Sequence, residues 1–173
     1  HLFAVLPRAS PQPALQREGG SDGLPGVRGL TVPLQARILA KRVHPDAVLP
    51  SYAQPGDAGA DLASVVSLTL APGERALVPT GVALALPEGL VGLVHPRSGL
   101  AARHGLSIVN APGTVDSGYR GEILVNLINL DPRESVSIEP GDRIAQLVIQ
   151  EYVRGEFVEA DSLPESVRGE TGH

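Results

Sequence analysis

Residues 66 to 95 read Val66-Ser67-Leu68-Thr69-Leu70-Ala71-Pro72-Gly73-Glu74-Arg75-Ala76-Leu77-Val78-Pro79-Thr80-Gly81-Val82-Ala83-Leu84-Ala85-Leu86-Pro87-Glu88-Gly89-Leu90-Val91-Gly92-Leu93-Val94-His95. Short apolar runs alternate with Pro/Gly turns at Ala71-Pro72-Gly73, Pro79-Thr80-Gly81 and Pro87-Glu88-Gly89, and the last run ends at His95-Pro96. The pattern continues outward. Upstream, Leu34, Ala36 and Ile38 alternate with Gln35, Arg37 and Leu39, a period-two strand signal. Downstream, Ile123 to Leu130 ends at Asp131-Pro132, and Ile144 to Ile149 follows Pro140-Gly141-Asp142. Short strands spaced by about 8–12 residues indicate an all-β sandwich or barrel. Ser98 to His104 reads as the single short helix, with Ser98 as its N-cap and Gly105 as its stop.

Composition narrows the chemistry. The chain has 173 residues, enough for one domain plus tails. Its core must come from Val, Leu, Ile and Ala, because Met, Cys and Trp are absent. Without cysteine there is no disulfide and no thiolate metal site, which removes the zinc nucleotide deaminases. The same absence fits a reducing compartment, so a cytoplasmic location is expected. A net charge of -5 argues against a broad nucleic-acid surface, although a few arginines can still bind an anion locally. No apolar run is long enough for a transmembrane helix. Residues 1–30, rich in Pro and Gly, read as a flexible extension that begins at His1 rather than Met. The β core is expected over 31–160 and a mobile C-terminal arm over 161–173.

Five segments carry chemistry. In Asp57-Ala58-Gly59-Ala60-Asp61-Leu62, small residues let the backbone pack around the Asp61 carboxylate. The alternative is a turn carboxylate bonded to its own backbone. Pro96-Arg97-Ser98-Gly99 sets a guanidinium and a hydroxyl at a helix start, where an anion is favoured over a merely capped helix with a solvated arginine only if other segments agree. Asn110-Ala111-Pro112-Gly113-Thr114-Val115-Asp116-Ser117-Gly118-Tyr119-Arg120-Gly121-Glu122 is the richest. Asn110 can read a base edge with both donors and acceptors. Asp116 can act as a general base toward water. Tyr119 is one of only 3 tyrosines, and in a Gly-rich turn it suits a pocket wall better than a core. Gly141-Asp142-Arg143-Ile144-Ala145-Gln146 places Gln146 near the buried side of a strand, where it needs a partner. Arg168-Gly169-Glu170-Thr171-Gly172-His173 can close over an anion, with a solvated tail as the default.

Taken in order, these segments resemble the five motifs of the trimeric dUTP pyrophosphatase (dUTPase) family, bacterial type, from roughly Thr31 onward. Pro-Arg-Ser-Gly-Leu-Ala and Asp-Ser-Gly-Tyr-Arg-Gly-Glu are the most specific matches. The resemblance implies a distorted β jelly roll, a β-clip barrel with one short helix. It also implies a homotrimer with interfacial active sites closed by a C-terminal arm. The implied reaction is Mg²⁺-assisted hydrolysis of dUTP to dUMP and pyrophosphate, which keeps uracil out of DNA and supplies dUMP for dTMP synthesis.

By similarity, Asp116 deprotonates the water that attacks the α-phosphorus. Asn110 and the backbone of Gly113, Thr114 and Val115 bind the uracil, and Tyr119 packs on the deoxyribose against a 2′-hydroxyl. Arg97, Ser98, Gly99 and Gln146 hold phosphates. Asp61 supports the Mg²⁺ through water. Arg168 contacts the far phosphate and His173 stacks on the base. Thr171 stands where the family usually has Gly. The family also continues past the aromatic with Gly and Ser, whereas this sequence ends at His173. Two other readings stay open. One is a dCTP deaminase of the same fold, sometimes bifunctional. The other is a nucleotide-binding trimer that acts through protein contacts.

Overall fold

The computed structural model describes residues 35–167. The readings made for residues 1–30, Arg168 and His173 therefore lie outside the described residues. The described elements are β1 (Leu39–Arg42), β2 (Gly59–Ala63), β3 (Leu68–Leu70), β4 (Arg75–Ala85), β5 (Leu90–His95), α1 (Ser98–His104), β6 (Leu106–Ile108), β7 (Gly113–Val115), β8 (Glu122–Asn129), β9 (Val136–Ile138) and β10 (Arg143–Glu151). One sheet has the order β1-β4-β8-β6, a second has β2-β10-β5-β7, and β3 pairs with β9 in a small ribbon. Every pairing is antiparallel. The all-β expectation holds.

A strand's side chains alternate between its two faces, so each strand can feed one core. In β8, Ile123, Val125, Leu127 and Asn129 are buried, while Leu124 faces outward. The buried cluster draws Val78, Leu84, Val125 and Leu127 from the first sheet and Leu62, Val94, Ile144 and Leu147 from the second. Leu70 and Ile138 of the ribbon join them. The sheets thus share one aliphatic core. Asn129 is fully buried within it, but its amide donates to the carbonyls of Leu70 (3.0 Å) and Glu134 (2.8 Å). Its Oδ1 accepts from the Asp131 N–H at 2.9 Å. This side chain therefore supplies the backbone partners that the β8–β9 loop would otherwise lack. In that loop, the N–H groups of Glu134 and Arg133 hold the Asp131 carboxyl below its ordinary range.

Three local expectations change. The Pro79-Thr80-Gly81 stretch, read as a turn, is a bulge inside the long strand β4, whose register against β8 shifts between Pro79 and Ala83. Side chains satisfy the interrupted ladder: Thr80 Oγ1 donates to the Ile123 carbonyl at 2.8 Å, and Glu122 Oε1 accepts from the Gly81 N–H at 2.7 Å. Among the described residues of the first alternation, Gln35 to Ile38 form no strand; β1 starts at Leu39, where pairing to Val82–Ala85 begins. The helix has the expected span, but Arg97 rather than Ser98 occupies the N-cap position. The Arg97 carbonyl accepts from the N–H groups of Leu100 and Ala101, and no side chain caps the helix. Gly105 ends it at φ 63°, donating to the Ala101 carbonyl.

Gly81 is the most constrained bulge residue. Its φ is 70°, and a Cβ there would lie 2.7 Å from the Ala47 Cβ and 2.8 Å from the His44 Cβ. Gly81→Ala should cost about 1–3 kcal/mol, from left-handed strain plus crowding. A shift in the denaturant midpoint at constant slope measures it; an unchanged midpoint would contradict the packing described.

The last strand ends at Glu151, and residues 152–167 contain no helix or strand. Val153, Phe157, Val158 and Leu163 are exposed along this stretch. No helix among the described residues is long and apolar enough to cross a membrane.

Candidate active site

β7 pairs with β5, setting Gly113 opposite Val94 and Val115 opposite Gly92. Gly113 and Val115 are buried and Thr114 points outward. Asn110 packs against this strand: its Nδ2 lies 3.4 Å from where a Cβ on Gly113 would sit. The strand then stops, and Asp116 begins a tight turn in which the Tyr119 N–H donates to the Asp116 carbonyl at 3.0 Å. The exposed Arg120 spans that turn, donating to the carbonyls of Ser117 (2.6 Å) and Tyr119 (2.8 Å). Tyr119 remains 46% exposed, with its hydroxyl donating to the Glu122 carbonyl at 2.9 Å. Asn110, Gly113, Thr114, Val115, Asp116 and Tyr119 all line one cavity of about 200 Å³. The structure therefore brings together the residues read as base reader, water activator and sugar wall.

A second constellation forms on the other strands of that sheet. Asp61 is not a turn residue; it lies in β2 opposite Gln146 of β10. Its carboxylate is 14% exposed and bridges two guanidiniums, with Arg97 Nε 2.9 Å from Oδ1 and Arg143 Nη1 3.1 Å from Oδ2. Arg97 also donates to the Arg143 carbonyl at 3.3 Å. Two cations around one mostly buried anion leave net positive charge, which suits a polyanionic ligand. The Gln146 amide donates to the Pro96 carbonyl at 2.9 Å, tying β10 to the segment before Arg97. A Cβ on Gly59 would collide with the Gln146 Oε1, so the small residues flanking Asp61 make room for that side chain. Ser98 and Gly99 open α1 next to Arg97.

Arg143 had no role in the sequence reading. Its signal was its place at the start of β10, three residues before Gln146, the register partner of Asp61.

Asp116 and Arg97 line separate cavities within one chain. Arg97 and Arg143 line a different cavity, of about 530 Å³, which shares no residue with the one holding Asp116. Nor does either build a metal centre. Both Asp61 oxygens are taken by guanidiniums, and no cluster of three or more His, Cys, Asp or Glu among the described residues could hold an ion. Direct ligation of Mg²⁺ by these side chains does not fit the donor set.

The dUTPase family model matches residues 46–173. The chain belongs to the dUTPase family. A deoxyuridine 5'-triphosphate nucleotidohydrolase of Streptomyces coelicolor is 63% identical over 135 residues, covering 78% of this chain and 74% of that one. Its counterpart in Bifidobacterium longum subsp. infantis is 60% identical over 141 residues, covering 81% and 89%. Among solved structures, a mutant dUTPase of Staphylococcus bacteriophage 80alpha with dUpNHpp superposes with a TM-score of 0.74 at 30% identity, covering 80% of this chain and 97% of that chain. A mutant dUTPase from phage phi11 of S. aureus, described with a structural Mg(II) ion, gives 0.69 at 27% identity, covering 75% and 100%. The five segments described above all lie within the matched residues.

Proposed function

We propose that this member of the dUTPase family hydrolyses dUTP to dUMP and pyrophosphate. The observation that carries the reading is the cavity in which the Asp116 turn, Asn110 and Tyr119 converge. The Asp116 carboxylate accepts a proton from a water molecule as the water oxygen bonds to the α-phosphorus. The bond from that phosphorus to the bridging oxygen breaks, and pyrophosphate leaves with the electron pair. Negative charge grows on the leaving group, and Arg97, with Ser98, Gly99 and Gln146 beside it, offsets that charge. A Mg²⁺ ion carried by the substrate would lower the charge of the triphosphate. Asp61 holds Arg97 and Arg143 in place and would support the ion only through water.

Asn110 and the Gly113–Val115 backbone read the uracil edge. Cytosine exchanges donor and acceptor at this edge, and each unpaired buried group costs about 1–3 kcal/mol. Tyr119 closes the space beside the sugar. Arg168 and His173 complete the site from the terminal arm.

The homotrimer that the family resemblance implies would set the Asp116 cavity of one chain against the Arg97 cluster of another, and the separate lining of the two cavities supports that reading. We place the enzyme in the cytoplasm, with dUTP rather than nucleic acid or membrane as its partner.

Incubating the protein with dUTP and Mg²⁺ and measuring pyrophosphate tests the activity. Stoichiometric dUMP and pyrophosphate are expected. Ammonia released from dCTP would instead identify a deaminase, and tight dUTP binding without turnover would identify a binding protein.

A further inference from the structure

The Tyr119 ring is half exposed, and one hydrogen bond, from its hydroxyl to the Glu122 carbonyl, holds its far end. Gly121 lies directly beneath that end. A Cβ at 121 would come 2.6 Å from the Tyr119 Cζ, 3.0 Å from its Cε2 and closer still to its hydroxyl oxygen. The three nearest heavy atoms all belong to the Tyr119 side chain. By contrast, a Cβ at Gly118, in the same turn, would meet nothing within 4 Å. The closest obstacle to a side chain at 121 is therefore the far end of Tyr119.

The carbonyl that receives the hydroxyl is itself fixed. Glu122 starts β8, its side chain accepts from the Gly81 N–H in the β4 bulge, and Thr80 Oγ1 donates to the next carbonyl, that of Ile123. A rigid strand junction thus supplies the anchor, and a bare backbone supplies the seat.

The geometry points to Gly121 as a specificity-determining position: it seats the Tyr119 ring against the Glu122 carbonyl, and this seat sets how strictly a 2′-hydroxyl is refused. The inference rests on Tyr119 packing against the sugar in the activity proposed above. Gly121 touches no substrate; it is a positioning residue. An added methyl group meets the far end of a side chain that can rotate, so the ring yields and the fold does not. The swung ring leaves space beside the sugar, and the enzyme admits ribonucleotides.

The test compares kcat/KM for dUTP and UTP in the full chain, in Gly121→Ala, in Tyr119→Ala and in the double variant, with thermal midpoints for each. Gly121→Ala should lower the preference for dUTP over UTP by about tenfold or more, the scale on which a pocket senses a few atoms. The double variant should discriminate no worse than Tyr119→Ala alone, because both changes act through one ring. Carbon-13 labelling of the tyrosine rings gives a readout free of activity: the Tyr119 signal should move in Gly121→Ala while Tyr52 and Tyr152 stay in place.

An unmoved Tyr119 signal, an intact preference in Gly121→Ala, or fully additive losses in the double variant overturns the inference. So does a Gly121→Ala protein that melts, since the ring and not the backbone is meant to give way. If Tyr119→Ala still refuses UTP, the sugar-wall reading fails rather than the seat, and the ring signal alone then decides the seat.

Discussion

Asp116→Asn should bind dUTP nearly as well as the parent protein and turn it over about 10²–10⁴ times more slowly, the range supplied by a positioned general base. The side chains are close in size, and the turn that presents residue 116 is held by backbone groups and by Arg120, not by the carboxylate. The substitution therefore removes proton acceptance without moving the base or sugar contacts. The loss should fall on kcat, with the dissociation constant for a non-hydrolysable dUTP analogue changing only a few-fold. Single-turnover rates and calorimetric titration separate the two. Unchanged turnover would take Asp116 out of the chemistry; a large loss of binding would show it acting mainly as a substrate contact.

Mixing two crippled proteins should restore activity. Asp116→Asn damages one constellation and Arg97→Ala the other, and in a single chain these line different cavities. Arg97→Ala alone should slow turnover by about 10²-fold, as removal of one group that meets the developing charge commonly does. If each site draws its halves from two chains of a symmetric trimer, random mixing leaves roughly one site in four with both halves intact. Activity after joint unfolding and refolding should then rise to about a quarter of the parent value, far above either variant. A mixture no more active than the mean of its components, in trimers of verified mass, would place both halves of the site in one chain.

Much of this was legible in the residues. Apolar runs between Pro/Gly turns gave the β class because side-chain alternation is a local property of the chain. The same local logic failed at Pro79-Thr80-Gly81. Proline and glycine mark a turn unless distant groups satisfy the broken ladder, and here Glu122, more than forty positions away, does so. The strands β2, β6, β7 and β9 were not read as strands. They run three to five residues each, too short to show a period, and pairing to neighbours defines them. For the site, the residue types of Asn110, Asp116 and Tyr119 already implied base reading, water activation and a wall. Asp61 was harder. A carboxylate among small residues is a common turn signal, and only the β2–β10 register together with the approach of Arg97 shows it bridging two arginines.

The sequence by itself determined the β class, the order of the motifs and the chemical kind of each reactive group, because these depend on residue type and near-neighbour spacing. The tertiary structure alone decided which groups meet. It set Asp116 and Arg97 in separate cavities, paired Asp61 with Arg97 and Arg143, and seated Tyr119 over Gly121. Such contacts depend on strand register and sheet order. Those are fixed by long-range hydrogen bonding and the burial of one shared core, which no short window of residues contains.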